Sequence, residues 1–118
     1  MTRRMSILHG ADLERAEFED ADFRRADLRG AYFGRASLFG ADLRGADLRE
    51  CVFGRSGYST SFTEARLAGC LAEGAQGMVK GPIDVGADSP QLLDGAALQR
   101  WFAERGAPLV EVRQPAQQ

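Results

Sequence analysis

The chain has 118 residues, 44% apolar and 27% charged, with a net charge of −2. This is enough for one ordinary globular domain, and so small a charge points to neither nucleic acid nor an anionic membrane. No apolar run approaches the roughly 18 residues of a membrane helix, and the two cysteines, Cys51 and Cys70, make neither a disulfide framework nor a zinc site. Residues 1–5 read as a lead-in with two arginines and no apolar stretch behind them. No secretory leader is read there, and a cytoplasmic protein is expected.

From residue 6 to residue 76 the chain is periodic. Alanine recurs at Ala11, Ala16, Ala21, Ala26, Ala31, Ala36, Ala41 and Ala46, and the series continues with Cys51 and Ser56. Two positions after each small residue stands a large apolar one: Leu13, Phe18, Phe23, Leu28, Phe33, Leu38, Leu43, Leu48, Phe53 and Tyr58, with Leu8 before them. Aspartate fills the place between in Asp12, Asp22, Asp27, Asp42 and Asp47. A period of five fits neither standard element. On an α-helix each step rotates about 140°, which smears the large residues around the axis. On a straight strand an odd step sends them to alternate faces. If the chain instead turns a corner every five residues, all the large residues point to one interior and the aspartates point out. Four such segments close a coil of 20 residues, and stacked coils pair at about 4.8 Å.

This Ala-Asp-Leu-x-x pattern, running from Ser6 to about Gly74, resembles the pentapeptide-repeat family. The resemblance implies an all-β fold: a right-handed quadrilateral β-helix, here a little over three coils tall. After Ser56 the phase slips by one, and the spacing predicts a residue deleted at a corner near Ser59. Phe62 then continues the Phe23 column, Leu67 continues the Leu8 column, and Cys70 lies above Cys51 as a space-filling thiol.

Residues 77–113 read as a C-terminal cap. Gly81-Pro82 breaks the coil, and 79–85 is predicted as a last irregular strand. Asp94 is placed as the N-cap of a helix over about 95–105, with Leu93 and Leu98 as its hydrophobic staple. Leu98, Trp101 and Phe102 form its apolar stripe, Gly106 is its stop, and 109–112 alternates like a short strand. Residues 114–118 read as a frayed tail. A solenoid end needs covering, so the stripe either caps the last coil or builds a homodimer.

Function has to sit on outward positions. Arg15, Arg35 and Arg55 form a ladder of like charge, with Asp12, Asp27 and Asp47 near enough to flank it. It reads either as a solvated ion-paired face or as a patch for an anionic partner. Tyr32, Val52 and Leu71 occupy the slot usually given to aspartate and make an apolar stripe, with Phe39 on the neighbouring face. That stripe is either covered by the C-terminal segment or offered to a partner. Glu14, Glu17, Glu19, Asp20 and Asp22 form a small acidic zone. The single histidine, His9, has no companion, and there is no nucleophile motif, phosphate loop, metal-ligand spacing or cofactor signature. The expectation is a non-enzymatic scaffold or adaptor that binds a protein. The alternative comes from the resemblance: some members imitate duplex DNA, bind DNA gyrase and confer antibiotic resistance or self-immunity. Twelve acids against nine arginines in the repeat region make a weak negative surface for that role. Direct nucleic-acid binding is not expected, since no aromatic stacking platform accompanies the arginines.

Overall fold

The computed structural model describes residues 8–55 and 57–113; the lead-in 1–5, the start of the repeat at Ser6, the small residue Ser56 and the tail 114–118 lie outside the described residues. Each corner is a tight turn. The Ala16 N–H donates to the Leu13 carbonyl (3.1 Å), Ala26 to Phe23 (3.0 Å) and Ala46 to Leu43 (3.0 Å). The third residue of each turn has positive φ, as at Arg15 (64°) and Gly30 (69°), which is what a type II turn demands. A turn every five residues leaves only one residue per side free to bridge to the next coil. The repeat therefore forms a β-helical solenoid made almost wholly of single bridges and not of extended strands.

Four parallel ladders run up the solenoid. The first face carries Asp12, Tyr32, Val52 and Gln76; the second Glu17, Ser37 and Ser61; the third Asp22, Asp42, Arg66 and Asp84; the fourth Asp27, Asp47 and Leu71. Among the described residues, regular strands appear only from residue 60 on: β1 (Thr60–Ser61), β2 (Gln76–Lys80), β3 (Ile83–Asp84), β4 (Leu92–Leu93) and β5 (Leu109–Val112), with one helix, α1 (Gly95–Glu104), between β4 and β5. β2 pairs in parallel with β1 and with β5, and β3 pairs antiparallel with β4. The segment expected as one irregular strand over 79–85 is thus divided between β2 and β3. The first ladder gains a further rung, because Gln76 pairs with Leu109.

The interior is the predicted stack of large and small residues. Leu28, Phe33, Leu38, Leu43, Leu48 and Phe53 are fully buried, as are Ala26, Ala31, Ala41 and Ala46. Each large side chain contributes about 1.5–3 kcal/mol by leaving water. The buried polar atoms are satisfied: Thr60 Oγ1 donates to the Phe33 carbonyl (2.7 Å) and Cys51 Sγ to the Leu28 carbonyl (2.9 Å).

The register after residue 56 differs from the sequence expectation. No residue is missing at Ser59. Instead the coil is lengthened, and the ladder offset grows from 20 to 24 as Ser37 pairs with Ser61, Asp42 with Arg66 and Asp47 with Leu71. The extra residues leave the wall as a small hairpin in which Arg55 and Tyr58 exchange backbone hydrogen bonds (3.2 and 2.9 Å). Tyr58 therefore leaves the core column and stands half-buried outside it. Phe62 stacks beyond Leu38, Leu67 beyond Leu43 and Ala72 beyond Leu48, since the Leu38, Leu43 and Leu48 N–H groups donate to Ser61, Arg66 and Leu71. For the same reason Cys70 stacks on Ala46, not on Cys51, and both thiols are free. Burial pushes both thiols up to about 12. The native protein is therefore expected to leave a thiol reagent unconsumed at pH 8 and to consume two equivalents once unfolded. Rapid labelling of the native chain would contradict this burial.

α1 packs its apolar side onto the core of the repeat. The Asp94 side chain accepts from the Gly95 N–H (2.9 Å). At the other end Gly106 N–H donates to Ala103 and Ala107 N–H to Phe102, the paired bonds of a Schellman stop. Leu98, Trp101 and Phe102 are all buried in the same core as the repeat, with the two rings edge to face at 5.0 Å. Gln99 Oε1 accepts from the Val112 N–H (3.0 Å), so the helix also covers the outer edge of β5. No helix among the described residues is long and apolar enough to cross a membrane.

Candidate functional site: the first face and its arginine edge

The outward side chains of the four faces differ sharply. On the third and fourth faces an arginine follows each aspartate of the regular coils, Asp22, Asp27, Asp42 and Asp47, by two residues. Arg24, Arg29, Arg44 and Arg49 reach back to Asp22, Asp27, Asp42 and Asp47 with two contacts each, between 2.6 and 2.9 Å. Longer pairs tie successive coils, Arg24 to Asp42 (3.9 Å) and Arg29 to Asp47 (3.8 Å), and Arg66 reaches Asp84 (4.0 Å). Exposed pairs of this kind are screened by solvent and stabilise little, so they neutralise these faces more than they hold them together.

The pairing leaves a pH signature. Hydrogen bonds from Arg29 lower Asp27 to about 2, and those from Arg44 and Arg49 lower Asp42 and Asp47. Asp84 is lowered chiefly by the Gln91 N–H. Unfolded aspartate titrates near 3.9. Folding therefore keeps these groups ionised where the unfolded chain takes up protons. Their contribution is complete above about pH 4 and is lost as pH falls toward about 2. Thermal melts at steps from pH 7 to pH 2 are expected to hold down to about pH 4 and then decline; a decline already complete above pH 5 would contradict the pairing.

Among the described residues neither the first face nor the second carries such pairs. On the first, Tyr32 lies across Gly34, where an added Cβ would meet its ring at 2.6 Å. Partial burial, then the neighbouring Tyr58 and Glu14, hold its phenol above the usual value. Val52 follows, then Gln76, then Leu109, which is 68% exposed. Beside this face, at the corner shared with the second face, stand Arg15 and Arg35, each at positive φ, and the hairpin that carries Arg55. The Arg35 guanidinium sits 4.6 Å from the centre of the Tyr58 ring. Among the described residues no carboxylate lies within ion-pair distance of Arg15, Arg35 or Arg55. The acids expected to flank them are held elsewhere, Asp27 and Asp47 by Arg29 and Arg49. An arginine two places after an aspartate lies on the same side of the corner and can turn back to it, whereas one three places after has gone round it. The Asp-x-Arg spacing in the sequence carried that signal.

The other expected contacts fall apart from this face. Leu71 is 45% exposed but belongs to the fourth face, above Asp47, because the lengthened coil shifts it one ladder round. Gln76 takes the place expected for it. Phe39 is 43% exposed at the corner between the second and third faces. Leu98, Trp101 and Phe102 are spent on the chain's own end, with Arg105 stacked 4.0 Å over Trp101. His9 is exposed in the first coil, and the carboxylates of Glu14, Glu17, Glu19 and Asp20 are spread over exposed positions there.

A stack of five-residue turns, bridged coil to coil along its faces, defines a β-helical solenoid. Residues 16–55 match the family model for pentapeptide repeats in eight copies, so this stretch of the chain is built of pentapeptide repeats. A solved pentapeptide repeat protein from the thylakoid lumen of Arabidopsis thaliana is 25% identical, with 88% of this chain and 78% of that one covered and a TM-score of 0.40. No curated protein matches the sequence. The expected cytoplasmic location does not stand. That similar protein comes from a lumen, a non-cytoplasmic compartment, and an N-terminus without an apolar stretch does not fix where the chain resides.

Proposed function

We propose that this protein is a non-enzymatic binding module that presents the first face of a rigid solenoid to a partner protein. The solenoid is read as right-handed and quadrilateral, with a little over three coils of repeat, and α1 and β5 as its end cap. The observation that carries the proposal is the contrast between faces. Two are closed by Asp–Arg pairs, while the first offers half-buried Tyr32 and Val52 and exposed Leu109 beside arginines without acids. Exposed apolar surface rimmed by polar residues is the usual mark of a protein contact. The gyrase-mimic alternative asks for a continuous negative exterior. Here the aspartates of the third and fourth faces each hold an arginine, so that reading is not retained.

The experiment is affinity capture with the tagged chain in the cells that make it, run beside Val52→Glu and Asp42→Arg variants. A stoichiometric protein lost with Val52→Glu and kept with Asp42→Arg is the expected result. A protein lost equally with both, or with neither, contradicts the assignment to the first face.

A further inference from the structure

We infer that Gln99 guards the edge of β5, and that without its amide oxygen a second copy of this chain adds there by strand pairing. In the three-stranded sheet the order is β1-β2-β5, so among the described residues β5 ends the sheet. An edge strand presents backbone donors and acceptors to any other chain, and one as apolar as Leu109-Val110-Glu111-Val112 is a template for a copy of itself. The inference goes beyond the binding-module reading and does not depend on which protein the first face meets.

The register fixes which groups face the open side. β5 runs parallel to β2, with Gly77 opposite Val110 and Val79 opposite Val112. The Arg113 N–H donates to the Val79 carbonyl (2.7 Å). Alternate residues of a strand turn their backbone groups to opposite neighbours, so Leu109, Glu111 and Arg113 face β2 and positions 108, 110 and 112 face away. Each of these three is closed by a different device. Pro108 has no N–H to give. The Val110 N–H turns back onto the Ala107 carbonyl (3.2 Å). The Val112 N–H donates to Gln99 Oε1 (3.0 Å). The first two devices belong to the turn that leads into β5. The third depends on a side chain brought from another element.

α1 holds that side chain in place. Leu98, Trp101 and Phe102 anchor the helix in the core, and Gln99 follows directly on Leu98. Val112 is itself buried, so its amide is poorly placed for water, and a donor left without its acceptor there is costly. A second β5 supplies the replacement. Two copies related by a two-fold axis bring their β5 edges together antiparallel. Pairing centred on Val112 sets Glu111 of each copy opposite Arg113 of the other, and both side chains are exposed. Opposite charges facing each other across two strands favour that register.

The test is sedimentation velocity of the full chain and its variants. The unaltered chain and Gln99→Glu, which keeps an acceptor oxygen at this place, are expected to sediment as one chain from about 10 to about 500 µM. Gln99→Ala keeps a good helix former but removes the acceptor. It is expected to pass to two chains over that range, associating at least about ten-fold more tightly than the unaltered chain. Gln99→Ala/Arg113→Glu is expected to return to one chain, because acids then face each other. An unaltered chain that is already paired, a Gln99→Ala variant that stays single, or a double variant that stays paired overturns the inference. So does a Gln99→Ala variant that loses resistance to denaturant without gaining mass, since Gln99 would then only hold α1 in place. If Gln99→Ala does not fold, amide deuterium exchange of the unaltered chain decides. Val112 protected as strongly as Glu111, which faces β2, supports the guard, and Val112 exchanging as fast as an open edge amide overturns it.

Discussion

Phe53→Ala is expected to destabilise the protein by about 3–5 kcal/mol, a large share of the 5–15 kcal/mol that holds a domain of this size. Phe53 has no exposed surface. Its ring lies 6.1 Å from that of Phe33 and meets Phe62 edge to face at 5.2 Å. The coils above and below are fixed by ladder hydrogen bonds, so the wall cannot close over the void. Phe33 and Phe62 lose contacts without finding new ones. The same change at Phe18, half-buried in the first coil with a single edge-to-face partner, Phe23 at 4.9 Å, is expected to cost about 1–2 kcal/mol because water can enter there. Denaturant midpoints of the two variants measure the difference. Equal costs would show that the core is not a stack whose interior is tighter than its end.

Gly77→Ala carries the second large effect, about 3 kcal/mol from backbone strain and overpacking together. Gly77 has φ of 109°, and an added Cβ would lie 2.8 Å from the Phe53 and Gly54 carbonyls. Neither side can yield readily. β2 is paired on both flanks, and Gly54 is held at the root of the hairpin by the Met78 N–H, which donates to its carbonyl at 2.7 Å. Gly57 is the control. Its φ is 94° but its Cβ would meet open space, so Gly57→Ala is expected to cost about 1 kcal/mol. Thermal unfolding of both variants distinguishes the two sites, and similar shifts would mean that the close approach at Gly77 is absent.

Much of this architecture is legible before any coordinate is known. Alanine every five residues, with a large apolar residue two places on, leaves one consistent geometry. The core columns from Leu8 to Phe53 follow from it. The helix is equally plain, because Asp94, the Leu98-Trp101-Phe102 stripe and Gly106 each mark a different part of it. The hairpin is not legible for a specific reason. In a period of five, losing one residue and gaining four produce the same phase, and Tyr58 stands where the next large core residue is due. Only the backbone pairing of Arg55 with Tyr58 chooses between them. That choice moves Leu71 to another face and separates Cys70 from Cys51. The pairing of β5 with β2 was hidden as well, since the chain leaves through α1 before it returns. The arginine edge was visible as a ladder, but its lack of acids was not. It emerges once Asp-x-Arg is seen to be the reach of an arginine on one side of a turn.

The central claim is that the first face, and not the ion-paired faces, meets the partner. It is tested most directly by placing a photo-crosslinking residue singly at position 52 and at position 42 in the tagged chain and irradiating the producing cells. The expected result is one crosslinked protein from position 52 and none from position 42. The same protein crosslinked from position 42, with none from position 52, would contradict the account.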